Sequence, residues 1–355
     1  MGIIRLPGMI DIHTHLRDPG AIQKEDFYTG TCAALAGGVI AICDMPNNPI
    51  PTVSPKTLQD KEKIAQKKAV CDYGFYFGAT VSNFNQFKKA VHKVVGLKVY
   101  MNETTGPLLL ENLEDLEQIF KNWPRTKPIM VHAEDSTVAK VLGLVAIYDR
   151  WVHFCHLSQA CEVEMVKEAK NRGMKITCEV TPHHLFLTEK DAAALGGYGK
   201  VKPPLRKSSD RDALWKNLKI IDVIASDHAP HTREEKESTN PPSGMPGLET
   251  TLPLLLTAAS RGKLTLEELV RLTFKNPFRL FGLTPDKNSY LEIDQKASYT
   301  VENKNLVTKC GWSPFDGYKV KGKVRRVFIR GQKVFEDGQI LVDGGFGQPL
   351  RLKRR

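Results

Sequence analysis

Met9-Ile10-Asp11-Ile12-His13-Thr14-His15-Leu16-Arg17-Asp18-Pro19-Gly20 opens on an apolar, β-branched run, turns polar and stops at Pro-Gly. The pattern predicts a strand over Met9–His13 that runs out into a loop near Arg17. Side chains two apart on a strand share a face, so His13 and His15 offer two imidazoles to one point. A borderline metal such as zinc takes such ligands. Alone, a His-x-His pair is weak, since packing explains it as readily.

Outward from this stretch the same kind of run recurs. Further strands are predicted at Val39–Met45, Asp72–Ala79, Leu97–Met101, Pro128–His132, Val152–His156, Lys175–Val180 and Asp222–Ser226. Helical patterns lie between them at Phe27–Ala36, Thr57–Gln66, Leu113–Trp123, Ser136–Tyr148 and Glu162–Arg172, with Ser54-Pro55 and Gly173 as start and stop signals. Eight strands with crossovers of this size predict an α/β fold, a (β/α)8 TIM barrel whose parallel strands are buried on both faces. A helical pair at Leu248–Ala259 and Thr265–Thr273 closes it. After Pro285 short alternating strands take over at Ser298–Val301, Lys321–Arg330 and Gln332–Phe335, with Asp316-Gly317 and Asp337-Gly338 as turns. The expected division is a barrel over 1–285 and a C-terminal extension over 286–355, forming a small β appendage and a basic tail at Arg351–Arg355.

The 355 residues are 41% hydrophobic and 26% charged, ordinary globular material with enough apolar side chains for a large core. No apolar run reaches membrane-spanning length and no signal-peptide pattern opens the chain, so neither a transmembrane nor a secreted protein is expected. Seven scattered cysteines suit reduced thiols and a cytoplasmic location. Fifty-one Lys and Arg against 40 Asp and Glu leave a charge of +11. The basic residues are dispersed and no aromatic stacking motif accompanies them, which favours attraction for small anionic substrates over a nucleic-acid partner.

Active sites of such barrels lie at the C-terminal ends of the strands. Lys98 sits inside the apolar strand Gly96-Leu97-Lys98-Val99-Tyr100, where a buried ammonium is costly unless paired or neutralised. The blander alternative is a lysine that snorkels from a strand end. The next strand ends at His132, the one after carries His153 and His156, and the last ends in Ser226-Asp227-His228-Ala229-Pro230-His231. Each histidine alone reads equally well as a hydrogen-bonded core residue. Ligand-type groups at the same end of five strands do not read as independent accidents.

Together these residues resemble the cyclic amidohydrolase superfamily, over nearly the whole chain. The resemblance implies a metal-dependent amidohydrolase barrel with two zinc ions: His13, His15 and Asp227 at one, His132 and His156 at the other. It implies that Lys98, carbamylated by CO2, bridges them, and that Asp227 is the catalytic proton carrier. His15-Leu16-Arg17-Asp18-Pro19-Gly20 is similar to the dihydroorotase form of the motif, with Asp18 replacing the usual Glu. The resemblance then implies a substrate carboxylate held by Arg17, Asn47 and His231, a loop at Pro246-Gly247-Leu248 whose backbone contacts the ring, and Thr104 as a cover. Arg17 is chemically apt, because a guanidinium forks a carboxylate.

The stretches Thr177–Leu187, Ser226–His231 and Lys321–Arg326 resemble the dihydroorotase domains of animal multifunctional pyrimidine-synthesis proteins. That implies zinc-dependent, reversible cyclisation of N-carbamoyl-L-aspartate to L-dihydroorotate, a homodimer, and a place within a larger protein. The tail at Arg351–Arg355 then reads as the start of a linker, or equally as a solvated end. The subfamily further implies a third zinc on Cys155 and Glu179 with His132 shared. Cys155, however, points away from His156 if the strand is regular, and as a small buried thiol it reads equally well. Thr105 stands where the animal domain has Phe, and Lys202 where relatives have Arg or Asn. Other ring amidohydrolases, acting on hydantoins, dihydropyrimidines or allantoin, are the first rival and Arg17 disfavours them; a scaffold without activity is the second.

Overall fold

The computed structural model describes residues 2–351. Eight parallel strands form one sheet in chain order: β2 (Met9–Thr14), β3 (Val39–Asp44), β4 (Asp72–Gly78), β5 (Gly96–Tyr100), β6 (Ile129–His132), β7 (Val152–Phe154), β8 (Ile176–Val180) and β9 (Val223–Ile224). A parallel bridge between Thr14 and His228 brings the last strand's exit back to the first, and the Asp11 carboxylate accepts the Ser226 N–H across the same seam. The sheet is therefore the predicted barrel. Almost every residue of these strands is buried, as parallel strands flanked by helices require.

Helices Phe27–Ala36 and Ser136–Tyr148 occupy the predicted ranges. Helix Pro55–Lys68 starts at an Ser54 N-cap with Pro55 in its first turn. The helix after Thr265 differs from expectation: Leu266–Val270 passes into a π-helical turn at Arg271–Lys275 and on to Asn276–Phe281.

The second sheet is antiparallel, in the order β1 (Ile3–Pro7), β10 (Tyr290–Thr300), β11 (Lys319–Ile329), β12 (Gln332–Glu336) and β13 (Gln339–Ile340). It is the expected appendage of C-terminal strands, joined by β1 from the start of the chain, which pairs along β10 from Ile3–Asp294 to Pro7–Tyr290. Five residues running into Pro7-Gly8 are too few to show a strand pattern of their own; partners 283 to 291 residues on supply it. Of the expected basic tail, Arg351 is described and residues 352–355 lie outside the described residues. All seven cysteines are free, with Cys161 exposed and the others buried. Among the described residues no helix is long and apolar enough to cross a membrane.

Candidate metal and substrate site

Strand ends β2, β3, β5 and β6, the turn after β7 and the loop after β9 converge on one cavity, lined among others by His13, His15, Arg17, Asn47, Lys98, Tyr100, His132, His156 and Asp227. His13 Nδ1 pairs with a Glu179 carboxylate oxygen, and its Nε2 lies 3.2 Å from Asp227 Oδ1. The same oxygen is 3.1 Å from His15 Nε2, while His15 Nδ1 meets Asn47 Oδ1 at 2.8 Å. His132 Nδ1 and His156 Nε2 are 3.0 Å apart. Ligand atoms of His13, His156 and Asp227 all lie within 4.8 Å of one another, as do those of His13, Cys155 and Glu179.

Lys98 is fully buried among them. Its Nζ donates to Cys155 Sγ at 2.9 Å and lies 5.0 Å from the centre of the Tyr100 ring, with no carboxylate in ion-pair range among the described residues. Burial lowers the pKa of His13, His15, His132 and His156, keeping the imidazoles neutral, the form that binds metal. Burial also pushes Asp227 up and the Cys155 thiol to about 12. Burial would raise Glu179 as well, yet His13 and His153 hold it well below the usual carboxylate range. These residues fit a bound metal: neutral imidazoles, a carboxylate and an unpaired lysine converge, and His156 Nδ1 is a buried nitrogen with no hydrogen-bond partner.

Two expectations about Cys155 are corrected. The strand is not regular past Phe154, and His156 takes a left-handed φ of 30°. Cys155 and His156 therefore both reach the centre, although neighbours on a strand cannot. Cys155 and Glu179 also group with His13 instead of His132. Arg17 (φ 63°) and Asp227 (φ 48°) share the left-handed conformation, which non-glycine residues adopt at a cost and which here aims them at the cavity.

Arg17 is 5% exposed. Its Nε donates to Pro230 O at 3.0 Å and its Nη2 lies 3.2 Å from His231 Nε2, and no carboxylate among the described residues is close enough to pair with it. His231 stands behind Arg17, not in the cavity wall; burial and the neighbouring Arg17 and Lys24 keep it neutral. Asn47 lines the cavity, with its Oδ1 on His15 and one Nδ2 proton on Thr105 O at 2.8 Å. Thr104 and Lys202 also line it. Thr105 turns out to be a tie: its hydroxyl donates to Ser243 O at 3.2 Å, a bond no phenylalanine makes. Gly247 lies outside the cavity wall. Its N–H donates to His228 Nδ1 at 3.2 Å, and a Cβ there would come within 2.9 Å of Ser226 O.

The model of the amidohydrolase family matches residues 4–334. The chain belongs to the amidohydrolase family. This amidohydrolase is 45% identical over 350 residues to the multifunctional protein CAD of Squalus acanthias, a match that covers 98% of this chain and 16% of that protein. Against the dihydroorotase of Pyrococcus furiosus it is 37% identical over 365 residues, covering 96% of this chain and 83% of the relative. Among solved structures, the L-hydantoinase (dihydropyrimidinase) of Arthrobacter aurescens superposes with a TM-score of 0.93 at 28% identity, covering 98% of this chain and 89% of that one.

Sequence reasoning missed three supports of this amidohydrolase site. Lys61, fully buried, pairs with Asp44 at 2.6 Å and donates to Met45 O and Asn48 Oδ1, so it pins the turn that carries Asn47. Asp44 in turn accepts the Leu16 N–H between His15 and Arg17. Lys236 Nζ donates to the carbonyls of Lys200, Pro242 and Gly244, fixing the loop that supplies Ser243. Neither lysine differs in its neighbours from a solvated one, so no sequence signal marks them. Tyr100 does carry a signal, its position two residues after Lys98 on the same strand face.

Proposed function

We infer that the chain is a dihydroorotase, interconverting N-carbamoyl-L-aspartate and L-dihydroorotate in pyrimidine synthesis. One observation carries the choice of substrate: Arg17, buried and without a carboxylate partner, shares its cavity with the His-Asp-Lys cluster. A ligand with an amide at the cluster and a carboxylate at the guanidinium satisfies both. Dihydroorotate has both groups; hydantoin, dihydrouracil and allantoin lack the ring carboxylate. The name of the Pyrococcus furiosus relative supports the same reading.

In this proposal His13, His15 and Asp227 would hold one zinc ion and His132 and His156 a second, and Lys98, carbamylated, would be a ligand shared by the two. A third ion on Cys155, Glu179 and His13 belongs to the same proposal. When bound, zinc supplies Lewis acidity at the amide carbonyl and lowers the pKa of water towards neutrality. Arg17, backed by His231, holds the substrate carboxylate, and Asn47, with one Nδ2 proton left after Thr105 O, is a second donor for it. Thr104 and Lys202 close the wall, while the Gly247 turn supports the loop from outside it. In ring opening Asp227 takes a proton from the attacking water and hands it to the departing ring nitrogen. In ring closure it takes the ureido proton as that nitrogen attacks the side-chain carboxylic acid, and hands it to the departing hydroxyl, which leaves as water. A cytoplasmic homodimer is proposed with it. So is a place beside other pyrimidine-synthesis units, supported by the match inside a multifunctional protein.

The test is hydrolysis of dihydroorotate by the purified, zinc-supplied chain with bicarbonate present, next to hydantoin, dihydrouracil and allantoin and a Lys98→Ala control. Turnover of dihydroorotate alone, lost in the control, is expected. Preference for a ring without a carboxylate would overturn the assignment.

A further inference from the structure

Tyr100 carries a hydroxyl that no described residue of the chain engages. It ends β5 two positions after Lys98, is 2% exposed, and lines the cavity with its ring 6.2 Å from that of His132. Its Oη is buried without a hydrogen-bond partner. Leaving a buried hydroxyl unsatisfied is costly, and phenylalanine would fill the same space without that cost. A phenol keeps its proton at neutral pH and is available as a donor. Arg17 and Asn47 in the same wall already have partners in the protein, Arg17 on Pro230 and Asn47 on His15 and Thr105, whereas the Tyr100 hydroxyl has none.

Resting on the dihydroorotase reading, we propose that the Tyr100 hydroxyl donates a hydrogen bond to a carbonyl oxygen of the bound ureide ring, a contact separate from those at the carboxylate. The contact orients the ring against the cluster while Arg17 fixes the carboxylate end. It also gives the site a feature for the ring itself, independent of the charge that Arg17 reads.

Tyr100→Phe removes the hydroxyl alone. In the zinc-supplied chain the KM for dihydroorotate is expected to rise about three- to tenfold, with kcat held within about twofold. Zinc content should stay equal to wild type, and Tm should hold or rise slightly, since an unpartnered buried hydroxyl has gone. An unchanged KM overturns the contact, and so does a variant that loses zinc, melts lower or fails to fold, because each assigns the hydroxyl to structure. If the wild-type chain itself leaves dihydroorotate untouched, the functional reading fails and takes this contact with it. An active wild type with an unaffected Tyr100→Phe variant sinks the contact alone.

Discussion

Arg17 was legible as a residue type but not as a conformation. Its neighbours in the His15–Gly20 stretch pointed to a carboxylate partner, whereas its left-handed φ and its two backbone and imidazole contacts depend on Pro230 and His231, more than 200 residues away. Arg17→Gln keeps a polar side chain and loses the fork. Its KM for dihydroorotate is expected to rise about ten- to a hundredfold with kcat changed far less, the loss of a charge-assisted pair. Because no carboxylate is stranded, Tm should not fall; a steady-state titration and a thermal melt together check this. An unchanged KM would remove Arg17 from the substrate site. Cys155 shows the opposite limit. Alternation along a regular strand turns it away from His156, and only the break after Phe154 brings it inward.

At the scale of elements, the end of β3 and helix Pro55–Lys68 form one device through Asp44 and Lys61. The pair is fully buried, so removing one partner leaves a charge without compensation. Asp44→Asn is expected to lower stability by about 3–5 kcal/mol in denaturant melts. It should also weaken turnover, since Lys61 anchors the Met45–Asn48 turn and Asp44 the Leu16 amide. The double variant Asp44→Asn/Lys61→Met should recover much of the stability; equal loss in single and double variants would show that the pair is not coupled. Helix Leu248–Ser260 makes a second such link, through Glu249 to the amides of Val307 and Thr308. Burial, which outweighs those two donors, pushes Glu249 up to about 7 from 4.5. Between these values the folded chain binds more protons than the unfolded one, so this group makes stability fall as pH rises from 4.5 to 7 and level off above. Melts across that window should be flatter in Glu249→Gln, and a parallel pH dependence in both proteins would assign the slope elsewhere.

Over the whole molecule, the first and last thirds of the chain meet in the small sheet. Removing residues 2–7 would expose the edge of β10 and leave Glu292 without Arg5. An exposed edge invites pairing between copies, so the truncated chain is expected to melt about 5 °C lower and to aggregate on concentration, measured by calorimetry and light scattering. Full-length behaviour after truncation would mean that β1 only decorates the sheet.

The barrel was readable because its signals are local. A parallel strand buried on both faces must be apolar along its length, and each crossover helix must begin and end at recognisable residues, so Val39–Asp44 and Ser136–Tyr148 announce themselves. The chemistry at the strand ends was readable too, since histidine, lysine and aspartate are out of place in apolar runs. Tertiary structure alone decided what depends on distance through space: β1 beside β10, Cys155 beside Lys98, Lys61 beneath the Asn47 turn and Tyr100 without a partner. A side chain's burial and its hydrogen-bond partners are set by residues far along the chain, and no periodicity records them.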